Sequence, residues 1–435
     1  MVRKKIVRFR PFAILFLEYY RIKGVTMSVI SVFNGLYCNE ESVISGVAEK
    51  TGFRQIQDRD VIAAAGKLSG ISNDRISRTF SSQTSIFNPF THEKEKSLAY
   101  LKLAMAEMLA QEKLLLTGFS SHLIPAGITH VLRVCLIAEM SYRLAQAEAS
   151  HTPEKDAQKL IRKSDEDRSA WTSLLRQEKD PWEPALYDMV IPMGRISESG
   201  AIDLIVSNIH RDVLTPTAES RRAVTDFLLQ AQVEAALACE GHNVDVMARE
   251  GHVTLTINKH VLMLSRLEQE LKTFVSGLPG VKSVATQVGK DFHQADIYRK
   301  YDFQTPSKVL LVDDEREFVQ TLSERLTMRD MGSAVAYDGE SAIKMAREEE
   351  PEVMILDLKM PGIDGIEVLR RVKETQPDIE IIILTGHGSE SDRKICMDLG
   401  AFAYLQKPVD IDILSATLKK ANEQIQLKKS VSHSD

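Results

Sequence analysis

At 435 residues with a hydrophobic fraction of 43%, the chain is long enough for about two to four domains and too apolar for disorder to be its default. Its net charge of -6 excludes a whole-surface affinity for nucleic acid or an anionic membrane, because the long-range field repels polyanions. Four cysteines, Cys38, Cys135, Cys239 and Cys396, stand far apart without a CxxC pair, which argues against a zinc site or a disulfide framework and fits a reducing cytoplasm.

The first 26 residues are basic and then apolar. The apolar run is short, Glu18 interrupts it and no small-residue cleavage site follows, whereas a membrane span needs about 20 apolar residues. The expectation is no membrane span, with residues 1–26 an N-terminal extension and the start left open between Met1 and Met27. A first block, 27–210, mixes apolar strands (SVISVF, KLLLTGF, HVLRVCLIA, YDMVIP) with amphipathic helices, which implies a parallel sheet covered on both faces. A polar, proline-containing stretch, 211–222, reads as a linker. Block two, 223–289, has the order helix, strand, strand, helix, strand of a small α+β sandwich. A second polar linker, 290–306, leads to a third block, 307–426, that alternates strand and helix five times, followed by a polar tail, 427–435.

Chemistry concentrates in the third block. The strand KVLLV ends at Asp313 and Asp314, VMIL at Asp357, IIIL at Thr385 and FAYLQ at Lys407. In an open parallel sheet the carboxyl ends of the strands line one crevice, so these five side chains should converge. Three crowded carboxylates repel one another unless a divalent cation is bound, and such oxygen ligands suit Mg2+. An aspartate there can act as a nucleophile toward phosphorus, with the cation and the lysine ammonium neutralising the phosphoryl oxygens.

The motifs VDDE, LDLKMPGIDG, LTGHG and YLQKP resemble those of the receiver domain of response regulators, across the whole block. The resemblance implies a flavodoxin-like (βα)5 fold, with Asp357 as phosphoacceptor and Asp314 as a direct metal ligand. Asp313 would act through water, and the carbonyl of Lys359 would complete the site. It further implies that Thr385 and Lys407 bind the phosphoryl group and that Tyr404 turns inward when Thr385 moves. A sensor histidine kinase would be the phosphodonor. No helix-turn-helix or basic recognition helix follows Gln426, so no DNA-binding output is expected.

In the first block, GLYCNEES lies between a strand and a helix, where a phosphate-binding loop would sit. Against the pattern GxxxxGK[ST], Gly35 and Ser42 are kept, but Glu40 replaces the second glycine and Glu41 the lysine. Two carboxylates facing a triphosphate would repel it. The stretches GVAEKTGFRQIQDRDVI, THVLRVCLIAEMSYRLAQ, AQKLIRKSDEDRSAW and ALYDMVIPMGRISESGAIDLI nevertheless resemble the cytidylate kinase-like family, across nearly the whole block. That resemblance implies a P-loop nucleoside monophosphate kinase fold and a nucleotide ligand, ATP or CMP-like. Arg162, Lys163 and Arg168 stand at the family's mobile lid, with Arg143 a further candidate. A solvated, charge-paired helix face is the alternative for the lid residues, and Phe119 stands where the family usually has arginine.

The second block resembles the BON domain, which implies an interaction module for a lipid or other ligand; His242, His252 and His260 read as exposed or structural. Taken together, the chain reads as a multidomain α/β protein: a P-loop kinase-like parallel sheet, a small α+β sandwich and a receiver. The expected function is that of a bacterial, cytoplasmic response regulator phosphorylated on Asp357 and signalling through domains that do not bind DNA. Two alternatives stand beside it: a nucleotide phosphotransferase gated by the receiver, and a catalytically inactive nucleotide sensor.

Overall fold

The structure, a computed structural model, describes residues 28–110, 113–209, 211–261, 263–290, 292, 308–329, 331–386 and 388–431. The upstream extension, most of the second linker and the end of the tail lie outside these residues. The chain divides into two compact units, the first Met1–Thr84 with Lys94–Tyr298, the second Ser85–Glu93 with Arg299–Asp435.

The first unit is built on a five-stranded, all-parallel sheet of order β2-β3-β1-β4-β5. Its strands are β1 (Val29–Asn34), β2 (Arg54–Ile56), β3 (Leu114–Thr117), β4 (Val131–Ile137) and β5 (Met189–Pro192). The central strands read as continuous apolar runs because both faces are covered. Val29, Leu114, Leu116 and Val131 join one core with Trp171, while Ile30, Val32, Leu115 and Val134 join the other. The longer helices around the sheet are α1 (Glu40–Thr51), α2 (Asp58–Ser69), α3 (Glu93–Leu109), α4 (Met140–Ala149), α5 (Glu154–Arg176) and α6 (Glu198–Ile209).

The same unit contains α7 (Ala218–Cys239), β6 (Asp245–Arg249), β7 (His252–Ile257), α8 (Leu264–Ser276) and β8 (Ser283–Val288). β6 and β7 pair antiparallel, β7 and β8 parallel, and Leu237, Val253, Leu255 and Leu271 share a core. The second half of the stretch read as a linker, 211–222, is helical. Thr217 caps α7 by accepting the Ser220 N–H at 3.1 Å, and the polar residues that follow form the helix's first turns.

The second unit holds a parallel sheet of order β10-β9-β11-β12-β13. Its strands are β9 (Val309–Val312), β10 (Ser333–Ala336), β11 (Val353–Leu356), β12 (Glu380–Thr385) and β13 (Ala403–Gln406), interleaved with α9 (Arg316–Thr327), α10 (Gly339–Glu349), α11 (Gly365–Thr375), α12 (Glu390–Asp398) and α13 (Ile411–Val431). This is the flavodoxin-like arrangement, with the chain reversing direction beside β9. Helix α13 continues past Gln426 into the expected tail, and Lys428 pairs there with the buried Glu380 at 2.6 Å. Residues Ser85–Glu93 complete the unit. Ser85 Oγ donates to Glu349 at 2.7 Å, and the buried Lys308 ammonium meets Glu93 at 2.6 Å. No helix among the described residues is long and apolar enough to cross a membrane.

Candidate functional site

The carboxyl ends of β9 and β11 deliver Asp313, Asp314 and Asp357 to one place, with carboxylate oxygens within 4.8 Å of one another. Asp313 and Asp357 are buried and Asp314 is exposed. Lys407, just beyond β13, puts its Nζ 2.6 Å from Asp313, 3.2 Å from Glu315 and 3.9 Å from Asp357 Oδ1. That ammonium also lies 4.5 Å over the Phe318 ring. Burial alone would weaken its charge, but the Asp313 carboxylate outweighs that and holds its pKa above the ordinary lysine value. Burial pushes the Asp313 carboxyl up despite the Lys407 contact and the Glu315 N–H at 2.9 Å.

Asp357 Oδ1 is buried and accepts no hydrogen bond. A buried carboxylate oxygen without a donor is costly, and a hard cation is the partner this donor set suits. The three aspartates therefore fit Mg2+. Lys359 follows in the loop after β11, where Gly365 passes so close that a Cβ would fall 2.1 Å from the Asp357 carbonyl oxygen.

Thr385, fully buried, ends β12 and its carbonyl accepts the Lys407 N–H at 2.9 Å. The Tyr404 hydroxyl is buried without a hydrogen bond, and burial raises its pKa. Gly388 explains how it fits, since a Cβ there would fall 1.6 Å from the hydroxyl and 3.0 Å from the Thr385 methyl. Gly388→Ala is therefore expected to drive the Tyr404 ring outward. Nitration of Tyr404 by tetranitromethane, mapped by mass spectrometry, should rise at least about threefold, since overpacking of this kind costs roughly 1–3 kcal/mol.

In the first unit, the loop after β1 is already occupied by its own side chains. Tyr37 and Asn39 adopt positive φ, 61° and 55°, and the Cys38 N–H donates to Glu40 at 3.0 Å. Glu40 thus puts a carboxylate against a loop N–H that a phosphate would otherwise take. Burial pushes its pKa up. Glu198, at the start of α6, accepts the Asn39 amide at 2.8 Å and the Ser42 hydroxyl. Glu41 is exposed.

Of the sequence candidates, Gly35 has no room for a Cβ, which would lie 2.7 Å from Ile137 Cδ1. Arg143 and Arg168 are buried and turned onto loop carbonyls: Arg143 Nε donates to Leu36 at 2.8 Å and its terminal nitrogens pair with Asp165, while Arg168 Nε donates to Asn34 at 2.6 Å. Lys163 bonds Asp167 and Ser82 at 2.8 and 2.9 Å. Arg162 is exposed and makes no hydrogen bond or ion pair among the described residues. The structure thus gathers Gly35, Ser42, Arg143 and Arg168 around the loop with the Glu40 that the pattern singled out, leaves Arg162 outside, and adds Glu198 and Asp165, which a motif search passes over. An open hollow of about 570 Å3, bounded by Tyr142 and residues 193–199, lies beside them.

Restoring the phosphate-loop pattern with Glu40→Gly and Glu41→Lys together should raise ATP affinity at least about tenfold in calorimetry. The change vacates the Cys38 N–H and supplies the missing cation.

Residues 309–419 match the response regulator receiver domain model. The C-terminal domain is a response regulator receiver domain. Residues 29–195 match the cytidylate kinase-like family model. The receiver is 35% identical over 112 residues to "Response regulator MprA" of Mycobacterium avium (strain 104), an alignment covering 26% of this chain and 49% of that protein. It is 34% identical over 114 residues to the protein of that name from Mycolicibacterium vanbaalenii, with 26% and 49% covered. The chain spans about half the length of these curated relatives. Among solved structures, a receiver domain protein from Clostridium thermocellum is 33% identical, with 28% of this chain and 97% of that chain covered and a TM-score of 0.27. The receiver domain of a Luxo repressor protein from Vibrio parahaemolyticus is 27% identical, with 29% and 97% covered and a TM-score of 0.28.

Proposed function

We propose that this protein is a response regulator of a bacterial two-component system, phosphorylated on Asp357 by a sensor histidine kinase and signalling through domains that do not bind DNA. The observation that carries the reading is the buried Asp357 Oδ1, which accepts no hydrogen bond inside the aspartate trio and has the Lys407 ammonium beside it. A carboxylate oxygen of Asp357 forms the new P–O bond as the P–N bond to the donor imidazole breaks. The imidazole keeps the electron pair and takes up a proton. Asp313, Asp314, Asp357 and the Lys359 carbonyl would hold Mg2+, which when bound offsets charge on the phosphoryl oxygens. Lys407 carries out the same neutralisation from the protein side, and Thr385 with Tyr404 forms the switch read by the rest of the chain or by a partner.

For the kinase-like domain, the Glu40 carboxylate on the Cys38 N–H favours a catalytically inactive ligand sensor over a phosphotransferase. The α+β segment from α7 to β8 is assigned to a BON-like interaction module for a lipid or other ligand. The same reading places the protein in the cytoplasm, where four cysteines without a CxxC pair stay as thiols.

The test is incubation of the full chain with a small acyl-phosphate donor and Mg2+, followed by peptide mapping, alongside ADP release from ATP with a panel of nucleoside monophosphates. The expected result is one acid-stable, hydroxylamine-labile label on the Asp357 peptide and ADP release at background. A label elsewhere would sink the phosphoacceptor assignment, and sustained ADP release would reinstate the phosphotransferase.

A further inference from the structure

The kinase-like domain encloses a cavity of about 240 Å3 that neither the phosphate loop nor the receiver pocket uses. Its walls come from β1 and β4, the segment after β3 and the residues leading into β5. Ser31 and Arg133 face each other in the β1–β4 register, set back from the carboxyl ends of those strands at Asn34 and Ile137. The cavity therefore lies deeper along the sheet than the crevice that holds the loop. Three rings line it. Phe33 and Tyr187 stack at 6.3 Å, and His122 meets Phe33 edge-on at 4.3 Å.

Positive charge dominates the wall. Arg133 Nη2 donates to the Pro125 and Ile128 carbonyls at 2.9 and 3.2 Å, and Arg176 Nη2 donates to the carbonyls of His122, at 3.1 Å, and Ile124. These bonds orient the guanidinium planes but neutralise neither charge. Asp188 is the one carboxylate in the lining, and its Oδ2 accepts the backbone N–H of Arg133 at 2.8 Å. Burial, with the two arginines adding to it, pushes His122 down to about 3, so at neutral pH its ring is uncharged.

Two polar groups remain unused. Ser121, 5% exposed, has a buried hydroxyl with no hydrogen-bond partner. Arg176 Nε and Nη1 have none among the described residues. Clamping of the 119–128 segment accounts for one nitrogen of each arginine. It leaves the cavity, the Ser121 hydroxyl and the Nε and Nη1 donors of Arg176 without a purpose.

We propose that this cavity binds a small aromatic carboxylate, with Arg176 and Ser121 receiving the carboxylate and the Phe33, His122 and Tyr187 rings enclosing the planar body. A free guanidinium N–H gives a carboxylate a charge-assisted hydrogen bond, which the Ser121 hydroxyl supplements. The volume is below the usual range of roughly 300–1,000 Å3 for ligand pockets, which limits the ligand to a single ring. The site makes the kinase-like domain responsive to a metabolite without any use of the altered loop.

The experiment is calorimetric titration of the full chain at about neutral pH with benzoate, benzamide and inorganic phosphate as probes. Benzoate should bind with a Kd of about 1 mM or tighter and benzamide at least about tenfold more weakly, because the amide lacks the charge. Inorganic phosphate should not bind. Arg176→Gln should weaken benzoate at least about tenfold. Because that substitution also removes a clamp on the 119–128 segment, a second variant is needed. Ala126→Trp at the exposed rim keeps both arginines and should abolish benzoate binding while the circular dichroism spectrum and melting curve stay unchanged. The proposal is overturned by equal affinity for benzoate and benzamide, by phosphate displacing benzoate, by benzoate binding indifferent to both substitutions, or by no benzoate binding at all.

Discussion

Asp357→Asn will abolish labelling of the receiver by an acyl-phosphate donor, reducing it at least about a hundredfold, while the domain stays folded. Asparagine keeps the shape of the side chain but replaces the attacking carboxylate with a weakly nucleophilic amide. The fold should tolerate the change because Asp357 Oδ1 accepts no hydrogen bond and the residue is held through its backbone, whose N–H donates to Val312 at 2.9 Å. Removing one of three crowded carboxylates also relieves repulsion. The metal-free melting temperature should therefore hold or rise, and the increase produced by Mg2+ should shrink, because a cation stabilises only the state that binds it. Residual labelling of the variant would place the acceptor elsewhere. A collapse of the melting temperature would show that Asp357 is chiefly structural.

Acidification will destabilise the kinase-like domain through its buried histidines. His122 and His130 are 7% and 0% exposed, and burial pushes their pKa values down to about 3 and about 4. The folded chain keeps both rings neutral, whereas the unfolded chain protonates them below about 6.5. Stability from this source is fully present above pH 6.5 and falls as the pH drops toward the folded-state values. At pH 5 the loss is on the order of 2 kcal/mol per histidine. Glu40 and Asp58, whose pKa values burial raises, act in the opposite sense. The decisive comparison is therefore between the wild type and His122→Gln. Urea unfolding followed by tryptophan fluorescence at pH 7.5 and pH 5 should show the acid-induced loss shrinking by on the order of 2 kcal/mol in the variant. Trp171 is a suitable reporter, since it packs against Phe80 and Phe119 in the same core. An unchanged loss would remove His122 from the account.

The receiver was legible because its information is local. Each of β9, β11 and β12 carries an unbroken apolar run of four residues with its functional residue immediately after it, so naming the strands names the site. Gly388 was not legible as the residue that makes room for Tyr404, since that depends on a side chain from another strand. The phosphate loop was legible only as a damaged motif. Glu40 fills it locally, but its other carboxylate comes from far away in sequence, Glu198 reaching Asn39 and Ser42 across 159 and 156 residues. The 211–222 linker was half misread for a different reason. Composition cannot separate a solvent-facing first helical turn from a coil when the cap is a single threonine, here Thr217.

Residues Ser85–Glu93 lie in sequence within the kinase-like segment yet belong to the receiver's compact unit, where Glu93 meets the buried ammonium of Lys308. The compact unit that contains the receiver is thus discontinuous in sequence. A fragment cut just ahead of β9 would keep every residue of the phosphorylation pocket and lose the carboxylate that answers a lysine at its opposite end. Moving this receiver onto another output with its compact unit intact means carrying residues 85–93 along with it.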